Sequence, residues 1–109
     1  MKGKFVLVHF PFTDLTSSKL RPALVIHESA EDVIVAFVSS KVQPQVLPSD
    51  LFLSDKDTVF PFTGLKVPSV IKFDKVATVS KDLIEGELGE IPEQMRDEFN
   101  TIMSRVFRI

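Results

Sequence analysis

Apolar residues recur in strand-length runs along most of the chain, broken by Pro, Gly, Ser and Asp, and a helical period is weak before residue 90. The first run, Phe5-Val6-Leu7-Val8-His9-Phe10, stops at Pro11, which has no N–H to give to a sheet ladder. A polar loop over residues 13–19 leads to a second run, Ala23-Leu24-Val25-Ile26-His27. A short polar link over residues 28–32 then opens a third, Val33-Ile34-Val35-Ala36-Phe37-Val38. That link is too short for a parallel crossover, so the second and third strands are expected to form an antiparallel hairpin. The third run is apolar at every position, which predicts cover on both faces: a core on one side, and a helix or another subunit on the other.

Residues 43–69 are richer in Pro, Asp and Ser, with one short strand expected at Leu51-Phe52-Leu53 and a structured turn at Phe60-Pro61-Phe62-Thr63-Gly64-Leu65. Val70-Ile71-Lys72-Phe73-Asp74 alternates, with Ile71 and Phe73 on one side and Val70, Lys72 and Asp74 on the other. Residues 76–79 either extend that strand or begin another. A helix is expected over residues 92–107. Pro92 suits its first position, Glu90 and Glu93 lie near the positive end of its dipole, and Arg105 and Arg108 lie near the negative end. Met95, Phe99, Ile102, Met103 and Val106 form one apolar stripe on it. The pattern predicts one mainly β domain over residues 1–109, a strongly bent sheet or small barrel with a C-terminal α-helix.

Composition narrows the chemistry. The 109 residues carry 13 Lys and Arg against 15 Asp and Glu, a net charge of −2, which excludes a globally basic nucleic-acid coat but not a local basic patch. With no cysteine and only His9 and His27, there is no disulfide, thiol nucleophile or cysteine-based zinc site, and no metal or other cofactor is expected. No run approaches the roughly 18–20 apolar residues of a membrane span. The N-terminus lacks a signal peptide's apolar core, so a cytoplasmic domain without membrane contact is expected. Ten Phe stand beside no Tyr and no Trp, so any base that stacks on this protein does so on Phe.

The order of motifs goes further. Val8-His9-Phe10-Pro11-Phe12-Thr13-Asp14, Leu20-Arg21-Pro22-Ala23-Leu24-Val25-Ile26, Phe37-Val38-Ser39-Ser40, and Gly64-Leu65 with Pro68-Ser69-Val70 follow one another along nearly the whole chain. Together they resemble the MazF/PemK/Kid family, the toxin halves of bacterial type II toxin–antitoxin pairs; the Arg-Pro-Ala-Leu-Val string is the most specific part. The resemblance implies an SH3-like small barrel of the CcdB/MazF type, a homodimer, and metal-independent cleavage of single-stranded RNA, commonly mRNA. Attack by the ribose 2′-OH would leave a 2′,3′-cyclic phosphate and a 5′-OH. It also implies a cognate antitoxin whose flexible, often acidic, segment covers the RNA site.

Such a reaction needs a proton acceptor, a proton donor for the departing 5′-oxygen, and donors for the phosphorane oxygens. Arg21 matches the family's catalytic arginine. Its fork of N–H donors suits a phosphate, and its pKa above about 12 makes it a charge stabiliser rather than an acid. Ser39 stands where the family has a phosphate-holding threonine, keeping the hydroxyl and losing the methyl, and Ser40 matches the serine that follows. Lys72 and Asp74 stand where Kid-like members carry Arg-x-Asp as an acid–base pair; Asp74 would take the 2′-OH proton and Lys72 would serve the leaving oxygen. Residues 13–19 match a loop that shapes the RNA site, in which this chain offers Ser17, Ser18 and Lys19. With Lys41, Lys66 and Lys72, Lys19 and Arg21 would supply a local basic groove. His9, placed with Phe5 and Leu7 by strand alternation, reads as a barrel-end histidine and His27 as a solvated strand end. Two other classes share the expected fold: a CcdB-like toxin that poisons gyrase, and a non-catalytic barrel that binds RNA or an acidic peptide. The terminal Phe107-Arg108-Ile109 lacks the tryptophan-type signature of the former.

Overall fold

The computed structural model describes residues 1–10, 19–42 and 46–109. Six antiparallel strands form one sheet: β1 (Lys4–Phe10), β2 (Lys19–Glu28), β3 (Asp32–Ser39), β4 (Asp50–Leu53), β5 (Ser69–Ser80) and β6 (Ile84–Glu90), followed by α1 (Arg96–Val106). Their spatial order is β4-β5-β3-β2-β1-β6. The expected hairpin forms, with Val25 opposite Val35 and Glu28 opposite Val33. Residues 69–80 make one long strand rather than two, bent where three residues, 73–75, intervene between the Lys72–Phe37 and Val76–Ala36 pairings.

Side chains on the two faces of this bent sheet make two cores. Val6, Val8, Phe10, Ala23, Val25, Val33, Val35 and Val79 pack on one face, where Leu83 and Ile84 lie against them as the chain turns from β5 into β6. Phe5, Leu24, Ala36, Val38, Leu51, Ile71 and Phe73 pack on the other, against Phe99 and Ile102 of α1. β3 therefore serves both cores, as its uninterrupted apolar run predicts. The sheet curls without closing, because β4 and β6 remain its outer strands.

The helical stripe holds: Phe99 and Ile102 are buried, and Met95, Met103 and Val106 pack around them. The α-helix proper begins at Arg96, later than Pro92, which precedes a single 3-10 turn at Glu93–Met95. The strand that sequence reasoning passes over is β6, where two glycines and three glutamates, residues poor in strands, hide an alternation of inward Ile84 and outward Glu85 and Glu87. The expected turn at residues 60–65 is a 3-10 helix, Phe60–Thr63, closed by Gly64 at φ 72°. Thr63 is fully buried there, its hydroxyl donating to the Phe60 carbonyl at 2.7 Å. No helix among the described residues is long and apolar enough to cross a membrane.

Candidate functional site

Strand register gathers most of the sequence-selected residues at one end of the sheet. β1 ends, β2 starts, β3 ends and β5 starts at this end, because Phe10 pairs with Lys19, Val8 with Arg21, and Ser39 with Val70. Carried two residues past the Ala23–Phe37 rung, the β2–β3 register brings Arg21 into line with Ser39. The β2–β3 ladder itself stops at that rung, so Arg21 and Ser39 follow it on strand ends that are not paired to each other. Lys72 pairs with Phe37, one rung deeper on the same face, where Phe37 meets Phe10 edge-on at 5.0 Å.

Arg21 is exposed and, among the described residues, its side chain forms no hydrogen bond or ion pair. Its position opposite Val8 roots it beside the core while the guanidinium faces solvent. Ser39 is half-buried, and its Oγ accepts the backbone N–H of Lys41 at 3.1 Å. That contact orients the hydroxyl and leaves its proton to donate. Ser40 and Lys41 are exposed just beyond the strand end, and Lys19 is exposed at the start of β2. Lys66 is exposed in the connection that enters β5. Ser17 and Ser18 lie outside the described residues.

Lys72 departs from the expected pairing. Residues 73–75 intervene in the β3–β5 ladder just past Lys72, and no ion pair joins Lys72 to Asp74. Lys72 instead donates from Nζ to Oδ2 of Asp50, directly opposite on β4, at 2.9 Å. Asp74 is exposed on the bent segment and pairs with no described residue. The bend itself is pinned from inside, since the Phe73 N–H donates to the Ser49 carbonyl and its ring enters the helix-side core.

Asp50 is the residue that sequence reasoning missed. Its side chain is 4% exposed, its Oδ2 also accepts the Leu47 N–H at 3.2 Å, and its Oδ1 is buried with no hydrogen-bond partner among the described residues. The signal available was weak: a lone Asp ahead of Leu51-Phe52-Leu53, which reads as a strand-starting turn residue.

His9 sits at the end of β1 with Nε2 2.7 Å from Glu85, the extra residue in a β-bulge of β6. His27 is exposed near the end of β2. No group of three or more His, Asp or Glu side chains placed to hold a metal ion occurs among the described residues. A cleft of about 470 Å³ lined by Leu24, Ile26, Phe99 and Met103 lies on the helix side, away from this end. The candidate site is thus an open surface strip, suited to an extended polyanion, rather than an enclosed pocket.

Residues 1–107 match the sequence model of the family described as the PemK-like, MazF-like toxin of type II toxin–antitoxin systems. The chain belongs to this family. No curated protein matches it in sequence. Among solved structures it is similar to the Mycobacterium tuberculosis toxin MazF-mt6, with a TM-score of 0.75 at 16% identity, covering 97% of each chain. It is also similar to a mycobacterial endoribonuclease solved in complex with its cognate antitoxin, with a TM-score of 0.71 at 16% identity, covering 97% of this chain and 92% of that one. The fold of the MazF toxins is therefore the fold of this protein.

Proposed function

We propose that this toxin is an endoribonuclease that cuts single-stranded mRNA by attack of a ribose 2′-OH on the adjacent phosphate, without a metal ion. The observation that carries the reading is Arg21: an exposed guanidinium with no partner among the described residues, rooted in a rigid strand and in line with the Ser39 hydroxyl. In the reaction, Asp74 takes the 2′-OH proton as the O2′–P bond forms. Arg21 and the Ser39 hydroxyl hold the phosphorane oxygens. The P–O5′ bond then breaks, and the 5′-oxygen takes a proton, with Lys72 the cation that supplies it or offsets its charge. The products are a 2′,3′-cyclic phosphate and a 5′-OH. Lys19, Ser17, Ser18, Ser40 and Lys41 flank the strip and serve as RNA contacts.

The protein works in the cytoplasm as a homodimer, and a cognate antitoxin covers this strip with a flexible acidic segment. Support for the activity comes from family membership and from the mycobacterial endoribonuclease of the same fold. The test is purified protein with single-stranded RNA in excess EDTA, with fragment ends mapped. Cleavage leaving cyclic phosphates and 5′-OH ends, lost in Arg21→Ala with an unchanged circular dichroism spectrum, is expected. RNA that is bound but never cut, across many sequences, overturns the proposal.

A further inference from the structure

We infer that Asp50 is a positioning residue for the proposed cleavage, fixing the Lys72 ammonium on the sheet face that Phe37 and Ser39 share. The inference rests on the functional reading above and adds a residue to it. Of the five ion pairs among the described residues this one stands apart: its side chains are 19% and 4% exposed, whereas no other of these pairs has a partner below 23%. A pair so far out of water returns little net stability, because the desolvation of both charges offsets their attraction. Asp50 carries a second cost, since Oδ1 is buried with no partner among the described residues.

Oδ2 of Asp50 is held from two sides, by the Leu47 N–H at 3.2 Å and by Lys72 at 2.9 Å, so the carboxylate cannot turn away. Lysine on its four-carbon stem has no fixed direction of its own. Tied to Asp50 by one of its three N–H bonds, the ammonium keeps two for an incoming oxygen. Its direct partner across the other ladder, Phe37, is apolar and does not compete for them.

The test is a double-mutant cycle read as kcat and KM separately. Asp50→Asn keeps the side-chain shape and an acceptor for the Leu47 N–H while removing the charge. It is expected to lower kcat at least tenfold, with KM for RNA within twofold. In a Lys72→Met background the same substitution should change kcat by less than twofold. Folding of all four proteins is checked by thermal melts, so loss of folded protein is not mistaken for loss of rate. An Asp50→Asn protein that cleaves like the wild type overturns the inference, as does an equal fall in kcat in both backgrounds. If Lys72→Met itself cleaves normally, the role of Lys72 fails; if the wild type does not cleave, the functional reading fails as a whole.

Discussion

Gly64 backs directly onto the main chain of Leu88: a Cβ at position 64 would lie 2.0 Å from the Leu88 carbonyl oxygen. The contact docks the 3-10 turn at residues 60–63 onto β6, and Gly89 repeats it from the other side, where a Cβ would fall 2.2 Å from the Phe62 carbonyl oxygen. Gly64 also holds φ at 72°, which alone costs a side-chain-bearing residue about 1–2 kcal/mol. Gly64→Ala is expected to destabilise by more than that, seen as a fall in the urea midpoint. Gly86, on the same strand, has nothing within 4 Å of a built Cβ, so Gly86→Ala should change the midpoint little. Equal effects at the two positions would contradict the docking role.

This pairing also explains why β6 was hard to read. Its Gly89 is required by the close approach of the 60–63 turn, a contact between segments over twenty residues apart that no local pattern encodes. Strands β1 to β3 were legible because burial on both faces demands continuous apolar runs, and α1 because its stripe has one period. The start of α1 was less so, since Pro92 suits either the first turn of a helix or the residue before it.

Phe73 and Phe99 meet edge-on with ring centroids 5.9 Å apart, and neither is more than 1% exposed. They join the bend of β5 to the helix. Phe99→Ala should cost about 3–5 kcal/mol, the usual range for emptying a buried aromatic site. Phe107, 52% exposed after the helix end, should tolerate alanine within about 0.5 kcal/mol. Urea unfolding of both variants checks the contrast.

Glu28 accepts from Lys81 at 2.7 Å and from the Met1 amino group at 2.7 Å, and these contacts, Lys81 foremost, lower its pKa from 4.5 to about 2. In the unfolded chain the same carboxyl binds its proton near the ordinary value, so between these values the unfolded state holds more protons and stability rises with pH. The contribution is present in full above about 4.5 and is lost as pH falls through about 2. Glu28→Gln should flatten the acid side of the curve of urea midpoint against pH. An acid limb as steep as that of the wild type would assign the effect to other carboxyls.

The candidate site divides in the same way as the fold. Arg21 and Ser39 were legible because each belongs to a short string with a local reason for its place: an arginine before the proline of a loop-to-strand junction, and a hydroxyl at a strand end. The partner of Lys72 was not, because alternation along β5 says nothing of the neighbouring strand, and it is β4 that sets Asp50 directly opposite Lys72. Side-chain pairing across strands follows register, which the sequence of β5 alone does not announce.

With a net charge of −2, affinity for RNA has to come from the few cations at the end of the sheet, and this fixes its response to salt. Lys19, Arg21, Lys41 and Lys66 form no ion pair with any described residue, while Lys72 is already neutralised by Asp50. Each phosphate contact on a single strand contributes about −0.7 to the slope of log affinity against log salt, so four of them per chain give a slope no steeper than about −3. Lys19→Gln and Lys41→Gln should each make the slope shallower by about 0.7 and weaken binding similarly for all sequences. Lys2, at the far end of β1 beside the helix-side cleft, is also free of ion pairs among the described residues, and Lys2→Gln should leave the slope unchanged. Filter binding of a non-cleavable 2′-deoxy oligonucleotide across a salt series measures all three. A slope that responds to Lys2 and not to Lys19 or Lys41 would move the RNA to the opposite end of the molecule.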